Sequence, residues 1–239
     1  MEREADVKTL TGALSRAWDS FDGYLFDIDG TLLNCRDAVH YFAFCNALSG
    51  VAGRPLNLDG VVTHGNVDEG ILRDAFARAG VDEALWRGQM EVIREQIGSE
   101  VERNSRGFDV DVLPGVERVL AHLVERGAVL STATGNLARV GEAKLRHCDL
   151  LRFFAVGGWS DGCANRVEVF QRAMAQMRDR LGAGASLCVV GDTPADVEAA
   201  HACGLEVIAV ATGIYDRAAL EACGPELCLG SFEELPGLL

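Results

Sequence analysis

Five short apolar runs separated by stretches of helical periodicity constrain this chain more than any other feature. They are Tyr24–Phe26, Ala128–Ala133, Phe153–Val156, Leu187–Val190 and Val207–Val210. Runs this short and this apolar read as strands buried on both faces, and strands that alternate with helices close as a parallel sheet covered by helices on each side. In such a sheet ligands bind beyond the carboxyl ends of the strands. The polar residues that directly follow each run therefore carry the chemistry: Asp27 and Asp29, then Thr134-Gly135-Asn136, then Ser160-Asp161, and last Asp192-Thr193-Pro194-Ala195-Asp196.

Between the first run and the rest lies a different kind of sequence. Residues 36–110 are helical in pattern throughout, with Trp86, Met90, Ile93 and Ile97 stepping by four, three and four along one face. The expected organisation is an α/β core from residues 1–35 and 111–239 with a helical domain, residues 36–110, inserted into it. Within the core, Val7, Leu10, Leu14, Ala17, Trp18 and Phe21 predict an amphipathic helix over residues 1–20. At 239 residues and 49% hydrophobic, the chain is long enough for such a two-part architecture.

Charge narrows the partners. A formal net charge of −14 is the opposite of what nucleic acid or an anionic membrane attracts, so an anionic ligand must be met by local groups. No stretch reaches the roughly 18 uncharged apolar residues of a membrane span, and Glu2, Glu4 and Asp6 do not suit a targeting segment. The eight cysteines are scattered without a CxxC pair, as free thiols in a reducing compartment would be. A cytoplasmic protein, monomer or homodimer, acting on a small molecule is the expectation.

Asp27 and Asp29 are two apart. If the chain stays extended past Phe26, both project to one side, and two carboxylates so close call for a cation or for one of them to hold a proton. Gly30 permits a tight turn beside an anion, and Thr31 adds a hydroxyl. Asp192 ends a second strand, where a hard oxygen ligand for magnesium belongs. Asp196 suits two readings, because Thr193-Pro194-Ala195-Asp196 is also a capping box with proline at the first helical position. Thr134, with the amides at the start of the following helix, is placed to hold a phosphate oxygen; Asn136 also reads as a helix cap.

Taken in order, Asp27-Ile28-Asp29-Gly30-Thr31-Leu32, Thr134 and Gly191-Asp192-Thr193-Pro194-Ala195-Asp196 resemble the motifs of the haloacid dehalogenase superfamily, across nearly the whole chain. Gly65-Asn66-Val67-Asp68 before Ile71-Leu72, and Thr134-Gly135-Asn136-Leu137, look like its phosphoglycolate-phosphatase-like group. The resemblance implies a Rossmann-like parallel core with a helical cap and a phosphatase of small phosphorylated metabolites, phosphoglycolate-like phosphate monoesters. It implies Asp27 as nucleophile, forming an aspartyl-phosphate, and Asp29 as general acid and base. Thr134 would act with them, and Gly30, Thr31, Gly135 and Asn136 would contact substrate. Magnesium would be held by Asp27, Asp192 and the Asp29 carbonyl, with Asp196 ligating through water or orienting the others. Asp29 speaks against a dehalogenase or phosphonatase; a phosphosugar mutase and a non-catalytic phosphate binder are the rival readings.

The family's third motif is usually a lysine. Here Lys8 and Lys144 are the only lysines and neither follows the matching strand, so Arg166 takes the phosphate-binding place, with a fork of donors instead of a point charge. His64, beside Thr63 and Gly65, is read chiefly as a loop residue. The remaining histidines, His40 included, show no ligand spacing.

Overall fold

Tyr24, Leu25 and Phe26 are fully buried, and they form most of β1 (Gly23–Phe26), the interior strand around which the fold is built. The structure is a computed structural model in which residues 14–235 are described. After β1 the chain makes β2 (Leu33–Cys35), then helices α1 (Val39–Ala52), α2 (Asp68–Arg78), α3 (Glu83–Trp86) and α4 (Met90–Asn104). It returns through β3 (Val110–Val112), which pairs antiparallel with β2 as a two-stranded ribbon. From there α5 (Val116–Glu125), β4 (Val129–Ala133), α6 (Ala138–His147) and β5 (Val156–Gly158) follow, then α7 (Arg166–Leu181) and β6 (Leu187–Gly191). The chain continues through α8 (Pro194–Ala202), β7 (Glu206–Val210), α9 (Arg217–Glu221) and β8 (Leu227–Leu229).

The main sheet has the order β5-β4-β1-β6-β7-β8, with every neighbouring pair parallel. From β1 the chain winds outward to β4 and β5, and from β6 it winds the other way to β7 and β8. The connections leaving β1 and β6 therefore diverge, which opens a crevice between their carboxyl ends. Alternation along β1 sends Tyr24 and Phe26 into the apolar layer on one face and Leu25 into the layer on the other. Each such fully buried side chain contributes about 1.5–3 kcal/mol.

A third apolar cluster lies in the helical block. Trp86, Ile93 and Ile97 are buried with Phe44, Leu48, Leu72 and Phe76, and Met90 packs against them. Leu137, Val140 and Ala143 of the core's α6 region join the same cluster, so the block is seated on the strand-end side of the sheet by apolar contact. Among the described residues no helix is long and apolar enough to cross a membrane.

Three expectations change. Residues 36–110 are not helical throughout: residues 53–67 are mostly loop, and the block is joined to the core through the β2–β3 ribbon. Of the helix expected over residues 1–20, residues 1–13 lie outside the described part, and 14–20 form bends and a turn. There Trp18 and Phe21 are pulled into the core, and the Tyr24 hydroxyl donates to the Trp18 carbonyl at 2.7 Å, a non-helical use of that carbonyl. The strand expected at Phe153–Val156 falls at Val156–Gly158, after a single 3-10 turn at Leu151–Phe153. A Cβ on Gly158 would stand 2.5 Å from the Ala173 Cβ and 2.8 Å from the Thr132 carbonyl oxygen. That edge of the sheet therefore packs so tightly on α7 that glycine is required within a strand.

Candidate active site

The crevice between β1 and β6 holds three buried carboxylates. Asp27 follows β1, Asp192 follows β6, and Asp196 sits in the first turn of α8; a carboxylate oxygen from each lies within 4.8 Å of the others. Arg166, in the first turn of α7 and 8% exposed, balances them. Its guanidinium reaches Asp27 Oδ1 at 2.8 Å and Asp196 Oδ1 at 2.8 and 2.5 Å. Burial pushes the Asp27 carboxyl up, Arg166 pulls it down, and Asp196 and Asp29 push it up again, leaving it above its ordinary value. Burial, followed by the Asp27 and Asp196 charges, raises Asp192 further. One guanidinium does not neutralise three clustered carboxylates. Hard oxygen donors with surplus negative charge suit a divalent cation such as magnesium.

Asp196 fills its capping reading completely. Its Oδ2 accepts from the Thr193 amide at 3.1 Å and the Thr193 hydroxyl at 2.7 Å, while its own amide donates back to Thr193 Oγ1 at 3.2 Å. With Oδ1 taken by Arg166, this carboxylate both caps α8 and orients the arginine.

Thr31, expected to contact substrate, is fully buried and donates to Asp192 Oδ1 at 3.1 Å instead. Gly30 also faces Asp192: with φ of 86°, its position would place a Cβ 2.2 Å from Asp192 Oδ2. The turn thus admits only a residue without a side chain, and its role is to let β1 and β6 bring their aspartates together.

Asp29 opens onto the same cavity as Asp27 but belongs to a separate network. Lys144 Nζ donates to Asp29 Oδ1 at 2.9 Å and Oδ2 at 2.7 Å, Asn136 Nδ2 donates to Oδ2 at 2.8 Å, and Cys35 Sγ donates to Oδ1 at 2.9 Å. Burial alone would raise the Asp29 carboxyl; the Lys144 ammonium, with those donors, holds it well below the usual carboxylate range. Asn136 ties this network together by accepting from Lys144 at 2.9 Å and donating to Thr134 Oγ1 at 2.8 Å. Thr134 keeps its own hydroxyl proton for the cavity.

Lys144 is the residue that sequence reasoning passed over. It does not follow the strand of the third motif, but it lies two helical turns beyond Asn136, in step with Val140 on the buried face of α6. A lysine at steps of four within an apolar stripe was the available signal. Cys35 and His40 were also passed over, the first as a scattered thiol and the second as a helical histidine; both line the cavity. So does His64.

The amides at the start of α6, expected to hold phosphate, are occupied. Leu137 N donates to Asp68 Oδ2 and Ala138 N to Asp161 Oδ2, at 2.8 and 2.7 Å. Asn136 is accordingly not that helix's cap. Asp68 comes from the helical block, and its amide donates to the Gly135 carbonyl at 2.8 Å. A Cβ on Gly135 would meet the Asn66 carbonyl oxygen at 2.2 Å, so glycine there lets the loop of the block rest directly on the core.

Because Asp27 and Asp192 bind protons more tightly in the folded chain than in the unfolded one, the metal-free protein should lose stability from these groups as pH rises above about 4. Magnesium should oppose that loss. At a concentration of 100 Kd it should contribute about 2.7 kcal/mol, or roughly 5–10 °C in Tm for a chain of this size. Asp192→Asn should remove the magnesium-dependent part, and an unchanged shift in that variant would take Asp192 out of the metal site.

A parallel sheet whose switch-point crevice carries an aspartate cluster under a helical insertion defines an α/β protein with an acid-rich site of the kind that handles anions through a metal. The chain belongs to the haloacid dehalogenase-like hydrolase family, which matches residues 21–204. It is similar to that family's phosphoglycolate-phosphatase-like group. The phosphoglycolate phosphatase of Synechococcus elongatus is 28% identical over 213 residues, spanning 88% of this chain and 93% of that one. The probable phosphatase IndB of Dickeya dadantii is 28% identical over 226 residues, spanning 89% and 91%. The fold is shared with CbbY from Rhodobacter sphaeroides in complex with phosphate, at a TM-score of 0.62 and 21% identity, covering 90% of this chain and 96% of that one.

Proposed function

We propose that this protein is a cytoplasmic, magnesium-dependent phosphatase of small phosphate monoesters. Asp27 is its nucleophile, Asp29 its general acid and base, and residues 36–110 form a cap over a core of 1–35 and 111–239. The observation that carries this reading is the convergence of Asp27, Asp192 and Asp196 around Arg166 at the carboxyl ends of β1 and β6. Magnesium, when bound by Asp27, Asp192 and the Asp29 carbonyl, supplies positive charge beside the phosphoryl oxygens.

An Asp27 oxygen forms a bond to phosphorus as the bond to the leaving oxygen breaks, and Asp29 gives that oxygen a proton. Water then attacks the aspartyl-phosphate, returning its proton to Asp29 and freeing Asp27. Arg166 and the Thr134 hydroxyl face the equatorial oxygens, where charge develops. The Lys144 contact favours the ionised Asp29 carboxyl, so uptake of a proton by Asp29 is coupled to loosening of that contact. Lys144 and Asn136 act as positioning residues.

Lys144→Met should lower kcat on the order of a hundredfold, the scale of a misplaced catalytic group, and leave KM within a few-fold. Lys144→Arg should recover part of the loss. Equal damage to kcat and KM, or no benefit from arginine, would make Lys144 a packing residue.

Phosphate release from a panel of small esters, with and without magnesium, tests the reading as a whole. Release only with metal supports it, and conversion of a hexose 1-phosphate to the 6-phosphate without net release would favour the mutase. No turnover of any ester would leave a binding protein.

A further inference from the structure

The cavity, about 310 Å³, has two unlike sides. On the sheet side stand Asp27, Asp29, Asp192, Lys144 and Arg166. The opposite wall comes from the helical block: Tyr41 and Phe44 on α1, Leu58 in the following loop and Ile71 on α2, with His40, Thr63 and His64 among them.

No lysine or arginine of the block lines this space. Among the described residues its formal cations are Lys144 and Arg166, and both are already paired, with Asp29 and with Asp27 and Asp196. Against these two stand four lining carboxylates, Asp27, Asp29, Asp68 and Asp192. His40, stacked on Phe44 at 4.7 Å, has Asp68 Oδ2 3.3 Å from its Nε2, so any positive charge on it is matched already. That nitrogen is buried and makes no aligned hydrogen bond.

Resting on the phosphatase reading above, we propose that the cavity selects monoesters whose leaving alcohol is uncharged and presents an apolar face to Tyr41, Phe44, Leu58 and Ile71. Alcohols bearing a second anionic group, a carboxylate or another phosphate, are disfavoured. Such a group would leave water for a wall without a free cation, among carboxylates of its own sign, and an unpaired buried charge is among the most costly groups to desolvate. An apolar face instead gains from leaving water against Phe44 and Leu58.

The test compares benzyl phosphate with 2-phosphoglycolate, both primary esters, by kcat/KM in magnesium. Benzyl phosphate should be preferred by roughly a hundredfold, the range over which pocket contacts discriminate. Phe44→Ala should reduce turnover of benzyl phosphate more than that of phosphoglycolate. Tyr41→Arg, at a position 39% exposed, should raise phosphoglycolate turnover by supplying the absent cation. Phosphoglycolate hydrolysed as well as benzyl phosphate by the unaltered protein would overturn the inference and leave the phosphatase reading standing. Phosphate release from neither ester, nor from the wider panel, would overturn both.

Discussion

Asp27→Asn should abolish turnover, with kcat falling at least about ten thousandfold, as when a covalent nucleophile is lost. The exchange is nearly isosteric and removes one of three clustered negative charges, so the fold should not suffer. Arg166 keeps Asp196 as a partner. In metal-free buffer the Tm should hold or rise, because burial and the Asp196 and Asp29 charges already disfavour the ionised Asp27 carboxyl. A folded, substrate-binding variant without turnover is therefore the expected result. Steady-state activity near that of the unaltered protein would eliminate Asp27 as the nucleophile.

Arg166→Ala should act on stability and on catalysis together. The guanidinium is the cation that touches Asp27 and Asp196, and both carboxylates are buried. Removing one partner of a buried pair costs about 3–5 kcal/mol, which for a chain of this length corresponds to a Tm loss on the order of 10 °C. Turnover should fall by a hundredfold or more if Arg166 stabilises the transferring phosphoryl group as an oxyanion donor does. Magnesium separates the two effects: it should restore much of the Tm by neutralising the carboxylates, yet not kcat, because it would not replace the guanidinium's hydrogen bonds to the transferring phosphoryl group. Arg166→Lys should keep a point charge but lose the second hydrogen bond to Asp196, giving intermediate values of both. Full kcat in a folded Arg166→Ala protein would show that another group holds the phosphate.

The sites of Asp27, Asp192 and Asp196 were legible in the sequence because local rules place them. A buried strand must end in a turn, the turn lies at the sheet's carboxyl edge, and Gly30 and Pro194 mark where each turn begins its next element. The parallel sheet was equally legible, since runs such as Leu187–Val190 are too short and too apolar to be anything but interior strands. β5 was harder. Its glycines read as a turn, and only the close approach of Ala173 from α7 makes them strand residues.

Other features depended on contacts between segments far apart in the chain. Lys144 meets Asp29, 115 residues earlier, only because α6 packs its buried face toward β1, and no spacing rule spans that distance. The amides of Leu137 and Ala138 looked free for phosphate until Asp68 and Asp161 arrived from other parts of the chain to take them. The apolar part of the cavity wall is likewise invisible along the chain, since Phe44, Leu58 and Ile71 become neighbours only when α1 and α2 fold together. Periodicity and turn chemistry are local and are written in the order of residues, so the sequence by itself determined the sheet and its acidic strand ends. Which cation meets which carboxylate, and what faces them across the cavity, depends on packing between elements, and that only the tertiary structure decided.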